Sequence, residues 1–352
     1  MQTRRVILNG LGHVGRSFLG ILERQRAHLA GRHGLELRLC GAVDSGGAVH
    51  AEEGLDPALL VAWKASGRSV AELPGGVRGQ TALCLLKHHG ADLLLEAAPT
   101  NLWNGLPGLE GVRAALQAGI PAVLSSKGPL VVAWEELAAL SDWRGKGPAL
   151  RFSAAVGGGL PSVNAGLRDL AGARITRLEA IVNLSSQILL ARMAAGVPFE
   201  ACLEEARAAG VLEADPSLDV DGWDAAAKLL ILARAVLGLP VGLGHIAVEG
   251  LRALPEGEVA RQAALGRPTV LLAVAEAEGG SYRLSVKPTV LEREHPFATL
   301  RPREAAIRFH SDLQGETELR WLGGGPEGTA AALLRDSLEV CGALLPQKGT
   351  QG

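Results

Sequence analysis

Arg5-Val-Ile-Leu-Asn-Gly10-Leu-Gly12-His-Val-Gly15-Arg16 is the stretch that decides the fold. Arg5 to Leu8 reads as a strand buried in a parallel sheet. It runs straight into Gly-x-Gly-x-x-Gly, and each glycine has a mechanical job. Gly10 permits the tight turn. Gly12, lacking a Cβ, lets the backbone approach a pyrophosphate. Gly15 lets the following helix pack on the strand. Arg16 to Leu29 then reads as an amphipathic helix with Phe18, Ile21 and Leu22 on one face, its first N–H groups directed at phosphates. Leu11, His13 and Val14 lie in the same turn and are candidate cofactor contacts.

Outward from this turn, the next strand is Leu35 to Val43, ending at Asp44. An acid there suits a ribose hydroxyl, although it comes late for the usual spacing. Ser45-Gly-Gly follows in place of Arg or Lys, so NAD is favoured slightly over NADP. Ala91 to Ala97 reads as a further strand, placing Pro99 and Thr100 at the cofactor-facing edge. A helix (Val112 to Ala118) and a strand (Ala122 to Leu124) follow. That strand ends Ser125-Ser-Lys127-Gly-Pro129. Lys127, at a strand's C-terminal edge, is either a substrate contact or a surface lysine in a turn.

The 352 residues allow two domains with hydrophobic cores. A net charge of -2 offers no attraction to nucleic acid or to an anionic membrane. The most apolar stretch, residues 229–248, is interrupted by Arg234, Pro240 and His245, so no membrane span is expected. The four cysteines (Cys40, Cys84, Cys202, Cys341) lie far apart, without metal or redox spacing. They read as buried thiols in a reduced, cytoplasmic protein. No metal site is expected.

Chemistry concentrates later. Phe152 to Pro161 reads as a strand and a glycine-rich turn, and Phe199 to Gly210 as an amphipathic helix with its stop. Then comes Glu213-Ala-Asp-Pro-Ser-Leu-Asp219-Val-Asp-Gly-Trp-Asp224-Ala-Ala-Ala-Lys228. Asp224 and Lys228 are four apart and share a helix face. Asp221 reads as the N-cap, with Asp224 at the third helical position. Lys228 is flanked by Ala225 to Ala227 and Leu229 to Ala233. An ammonium beside a carboxylate in apolar surroundings suits a group that gives a proton and takes it back. The bland alternative is a surface ion pair.

At these residues the sequence resembles the homoserine dehydrogenase family. Supporting matches are Gly10 to Gly15, Ser126-Lys127-Gly-Pro129, Val156-Gly-Gly-Gly-Leu-Pro161, Glu249-Gly250, Val286-Lys-Pro-Thr and Gly323-Gly-Gly with Thr329-Ala330. They cover nearly the whole chain in the family's order. The resemblance implies NAD(P)-dependent interconversion of L-homoserine and L-aspartate 4-semialdehyde, in threonine and methionine biosynthesis. It implies Lys228 as proton donor and Lys127 as second active-site lysine. Glu213 would hold the substrate amino group, Asp219 and Asp224 would line the pocket and orient Lys228, and Gly323 would return to the cofactor.

The implied fold is α/β: an N-terminal Rossmann dinucleotide-binding domain (1–150), an α+β catalytic and dimerisation domain (151–305) and a C-terminal segment (306–352) packing back on the first. A homodimer is implied, and neither an aspartokinase nor an ACT regulatory domain is expected. Three positions depart from the family. Asn183-Leu-Ser-Ser-Gln187-Ile188 stands where the family's substrate loop reads Asn-Gly-Thr-Thr-Asn-Tyr. Ser153 replaces a glutamate that helps hold a monovalent cation. Ala305 replaces an asparagine. Dehydrogenation of a related amino-acid alcohol or aldehyde, or a cofactor-binding homologue without turnover, are the alternatives.

Overall fold

A computed structural model describes residues 1–212 and 216–345. The chain forms two compact units, residues 1–159 with 325 onward, and residues 160–324. The sequence predicts those divisions at 150 and 305.

The first unit begins with β1 (Gln2–Asn9), α1 (His13–His33) and β2 (Leu35–Asp44). An edge hairpin follows, β3 (Gly47–His50), helix α2 (Pro57–Ala65) and β4 (Gly76–Arg78). Then come α3 (Ala82–His89), β5 (Leu93–Glu96), α4 (Gly108–Gln117), β6 (Ala122–Leu124), α5 (Gly128–Val132), α6 (Trp134–Leu140) and β7 (Leu150–Arg151). The sheet order is β4-β3-β2-β1-β5-β6-β7, parallel from β2 to β7. β1 therefore has β2 on one side and β5 on the other. The strand order reverses there, and doubly wound sheets bind ligands beyond the strand ends at such a point. Leu93, Leu94 and Leu95 are fully buried, which explains the unalternating apolar run of β5.

Residues 152–156 are not a strand. Ser153–Ala155 makes a 3₁₀ turn, because Asp336 captures both the backbone N–H and the hydroxyl of Ser153. Asp336 lies on the last helix, α13 (Glu327–Val340), which follows the second unit in the chain but packs on α1 and β6 of the first.

The second unit opens with the short helix α7 (Ser162–Asn164), β8 (Ile175–Ile181), α8 (Leu184–Ala194) and α9 (Phe199–Ala208). It continues through α10 (Ser217–Val220), α11 (Trp223–Ala235), β9 (Ile246–Val248), α12 (Glu258–Ala264), β10 (Thr269–Glu278) and β11 (Ser281–Val290) to β12 (Glu304–Ser311) and β13 (Gly315–Leu322). Its sheet runs β13-β12-β8-β10-β11-β9, antiparallel except for β9 on β11. α8, α11 and α12 pack against β10. Side chains alternate along that strand. Val270 and Leu272 meet Leu291 and Phe297 in one apolar cluster, while Leu271, Ala273 and Ala275 are buried in the opposite sense. Ala305 is buried in β12, a small side chain in a packed strand.

Candidate active site

The dinucleotide turn is built as its glycines require. Gly10 has φ +105°, and a Cβ there would lie 2.4 Å from the backbone of Ala97 and Ala98. A Cβ on Gly15 would lie 2.0 Å from the carbonyl oxygen of Gly10, so only glycine lets α1 start this close. A Cβ on Gly12 would meet nothing within 4 Å. Gly12 caps α1 without a side-chain hydrogen bond, and the first turn carries no acid. A helix start with neither a capping side chain nor an acid, and with the positive end of the helix dipole, fits a pyrophosphate. Leu11 is buried, His13 is exposed and Val14 half-buried. Arg16 reaches back to the Leu11 carbonyl at 3.1 Å and stiffens the turn.

Asp44 stands at the end of β2, but its carboxylate is already engaged. Oδ1 accepts from the Gly46 N–H (2.9 Å) and the Ser69 hydroxyl (2.7 Å). Oδ2 accepts from Lys64 Nζ (2.6 Å) and the Val70 N–H (3.0 Å). Burial would raise the Asp44 carboxyl's proton affinity, and these four donors outweigh it and hold it below the usual carboxylate range. No cation follows Asp44 in the sequence, yet the fold brings Lys64 from α2 onto it. Lys64, Ser69 and Val70 carry no local signal for this contact, since they come 20 to 26 residues later.

Pro99 and Thr100 follow β5. The Thr100 hydroxyl accepts from the Lys127 backbone N–H at 3.3 Å, joining that turn to the start of α5. Lys127 caps α5, and Gly128 behind it has no room for a side chain, a Cβ there lying 2.5 Å from the Asn101 carbonyl oxygen. Glu96, at the end of β5, is fully buried. It accepts from Asn9 Nδ2 (2.6 Å) and the Ala98 N–H (2.8 Å). Burial pushes its carboxyl up to about 7 despite these hydrogen bonds. Nothing in the local pattern singled it out, for a glutamate ending an apolar strand resembles any exposed strand end.

In the second unit, Lys228 Nζ lies 2.6 Å from Asp224 Oδ2 and donates to the Val182 carbonyl at 2.7 Å. Lys228 is mostly buried, its side chain 14% exposed. Asn183 joins the acids. Its amide nitrogen donates to Asp219 Oδ1 (2.7 Å) and Asp224 Oδ2 (3.0 Å), while its Oδ1 accepts from the Ser186 N–H (2.8 Å). The Ser186 hydroxyl donates to the Asp219 carbonyl at 2.9 Å. Asp219, Asp224 and Lys228 are thus one hydrogen-bonded cluster centred on Asn183.

Two local expectations differ. Asn183 to Ile188 is not a loop but the cap and first turns of α8. Leu184 stands where the family glycine would be, and without a glycine's freedom the chain enters the helix at once. The N-cap of α11 is Gly222, at φ +86°, not Asp221. Asp221 instead ends α10 and pairs with Arg252 at 2.9 Å, and Asp224 falls at the second helical position. Glu213 lies outside the described residues. Gly323 follows β13 and lies against the Trp321 ring, where a Cβ would lie 2.1 Å from ring carbon. Among the described residues no group of His, Cys, Asp or Glu could hold a metal ion, and no helix is long and apolar enough to cross a membrane.

A parallel sheet with a glycine-rich turn at its switch point, joined to a unit bearing a buried lysine–carboxylate pair, defines an NAD(P)-dependent oxidoreductase. The family description "Homoserine dehydrogenase" matches residues 161–338. The chain belongs to the homoserine dehydrogenase family. It is 31% identical to an NAD(+)-dependent homoserine dehydrogenase of Pseudomonas canavaninivorans over 97% of each chain. It is 28% identical to a homoserine dehydrogenase of Methanocaldococcus jannaschii, covering 95% of this chain and 98% of that one. The crystal structure of a homoserine dehydrogenase from Thiobacillus denitrificans superposes with a TM-score of 0.80 at 29% identity, covering 97% of this chain and 73% of that one. A hyperthermophilic archaeal homoserine dehydrogenase in complex with NADPH shares the fold at TM-score 0.82 and 24% identity, over 99% of this chain and all of that one.

Proposed function

We propose that this protein interconverts L-homoserine and L-aspartate 4-semialdehyde with NAD or NADP, and that Lys228 moves the proton. The observation that carries this reading is the setting of Lys228. Two acceptors, Asp224 Oδ2 and the Val182 carbonyl, fix its ammonium on one side. A further N–H is then available to the substrate's C4 oxygen. The bound nicotinamide supplies the hydride to the aldehyde carbon and takes it back from the alcohol. As negative charge grows on the oxygen during reduction, Lys228 stabilises it and donates its proton; during oxidation it receives the proton back. Asp224 keeps the lysine aimed. Glu213 and Asp219 answer the substrate's ammonium, and Lys127 supplies a second positive charge to the bound substrate.

Two finer features belong to the same reading. A homodimer formed through the second unit's sheet belongs to this reading, as the family resemblance implies. Four free thiols support a reducing, cytoplasmic setting. A related amino-acid alcohol is the second reading, favoured by the helical start at Leu184, which departs from the family's substrate loop.

The test is consumption of NADH and NADPH with aspartate semialdehyde, and their formation from NAD+ and NADP+ with homoserine and a panel of amino-acid alcohols. Homoserine is expected to be oxidised, and Lys228→Ala to lower kcat by about 10²–10⁴-fold with nucleotide binding retained. Turnover of another alcohol alone would replace the substrate. Nucleotide binding with no turnover of any of them would leave a non-catalytic homologue.

A further inference from the structure

Glu96 has no part in the hydride chemistry, yet it is placed at the junction that forms the dinucleotide turn. Its side chain holds Asn9, the last residue of β1, and the backbone of Ala98 after β5. The Asn9 carbonyl accepts from the Ala97 N–H at 2.7 Å, and the Glu96 carbonyl accepts from the Ser125 N–H at 2.8 Å. Three strand ends, β1, β5 and β6, are therefore tied through one residue. Gly10 follows Asn9 directly and is wedged on Ala97 and Ala98, the segment that Glu96 holds. The first residue of α4 closes the pocket, since a Cβ on Gly108 would lie 2.8 Å from the Glu96 carboxyl. A carboxyl walled off in this way cannot spread its charge into water.

We propose that Glu96 is a positioning residue for the cofactor, coupling proton binding at the strand junction to dinucleotide binding at the Gly10–Gly15 turn. This rests on the reading of that turn as a dinucleotide site. A pyrophosphate brings negative charge to the turn, and an ionised Glu96 behind it is a like charge in a poorly screened interior. The neutral form removes that repulsion. By linkage, the nucleotide binds more tightly to the protonated protein, and its binding draws in a proton. The carboxyl's burial places the transition near neutrality, at about 7. The groups packed on Glu96 are neutral: Asn9 from β1, the Ala98 backbone, Ser125 and Ser126 after β6, and Gly108 of α4. The ionisable side chains nearest along those elements are Lys127 and Glu110. His13 lies in the turn itself.

The experiment measures the dissociation constant of NADH from pH 5.5 to 8.5 at constant ionic strength, for the wild type and Glu96→Gln. NADH is used because the 2′-phosphate of NADPH itself titrates in this range. His13 is present in both proteins, so the difference of the two profiles reports Glu96. Wild-type affinity is expected to weaken about fivefold or more relative to the variant as pH rises through 7. Parallel profiles would overturn the proposal. Infrared difference spectra of the wild type need no variant. Adding NADH near pH 7 should increase the protonated-carboxyl band, and an unchanged or decreased band would overturn the proposal. If NADH and NADPH both fail to bind, the dinucleotide reading falls and this one with it.

Discussion

At Asn183 one neutral amide serves two carboxylates, giving each of its N–H bonds to a different acid. Such a donor gives each acid a hydrogen-bond partner without adding a charge. Asn183→Ala leaves both acids short of a donor while sparing Lys228. The expected outcome is a fall in kcat/KM of about 10–100-fold, measured in initial-rate assays with NADH affinity unchanged. The sequence displayed Asp224 and Lys228 because a spacing of four on a helix is a local fact. It displayed Asn183 only as part of an altered loop, since its partners arrive 36 and 41 residues later. The same distance in sequence hid Lys64 from Asp44. Glu96 carries a prediction of its own. Its folded-state carboxyl sits at about 7, above the ordinary 4.5, because burial disfavours the charge. The folded protein therefore holds the proton more tightly than the unfolded chain. Its contribution is fully present below about pH 4.5, declines as pH rises to 7 and is lost above that, about 3 kcal/mol in all. Thermal unfolding of Glu96→Gln should be less sensitive to pH over that interval than unfolding of the wild type, and relatively more stable at pH 8.

Among the elements, β1 and α1 were the most legible, because the glycine spacing states both where the strand ends and how closely the helix must approach. α11 was legible in its face but not in its start. Asp221 has the chemistry of a cap, yet the residues before it already form α10, and the left-handed Gly222 ends one helix and begins the next. α13 depends on a long-range tie that no local pattern announces. Asp336 is fully buried and accepts from Ser153 N (2.9 Å) and Ser153 Oγ (2.5 Å), while Arg335 also donates to that hydroxyl. Asp336→Leu strands these donors. A loss of about 2–3 kcal/mol is expected from urea unfolding, and Asp336→Asn, which keeps an acceptor, should lose clearly less.

For the molecule as a whole, the unequal path of the chain matters. The second unit is continuous, whereas the first is assembled from residues 1–159 and the segment beginning at 325. Ala330, Ala332 and Leu333 of α13 belong to the same apolar cluster as Phe18, Leu22 and Leu29 of α1. A chain ending at Gly324 should therefore uncover one face of α1. Calorimetry should show a lowered first-unit transition and NADH titration a weakened affinity, while the transition of residues 160–324 persists.

The position of α13 also orders events during synthesis. A ribosome makes the chain from its N-terminus, and domains generally fold as units when their residues become available. The second unit has all its residues by Gly324, but the first must wait for a helix encoded after them. The unit translated first is thus completed last, with its exposed α1 face awaiting α13 throughout the synthesis of residues 160–324. Full cofactor capture becomes a late step in maturation, and a chain that stalls before Glu327 presents an unfinished dinucleotide unit to the cell's quality control.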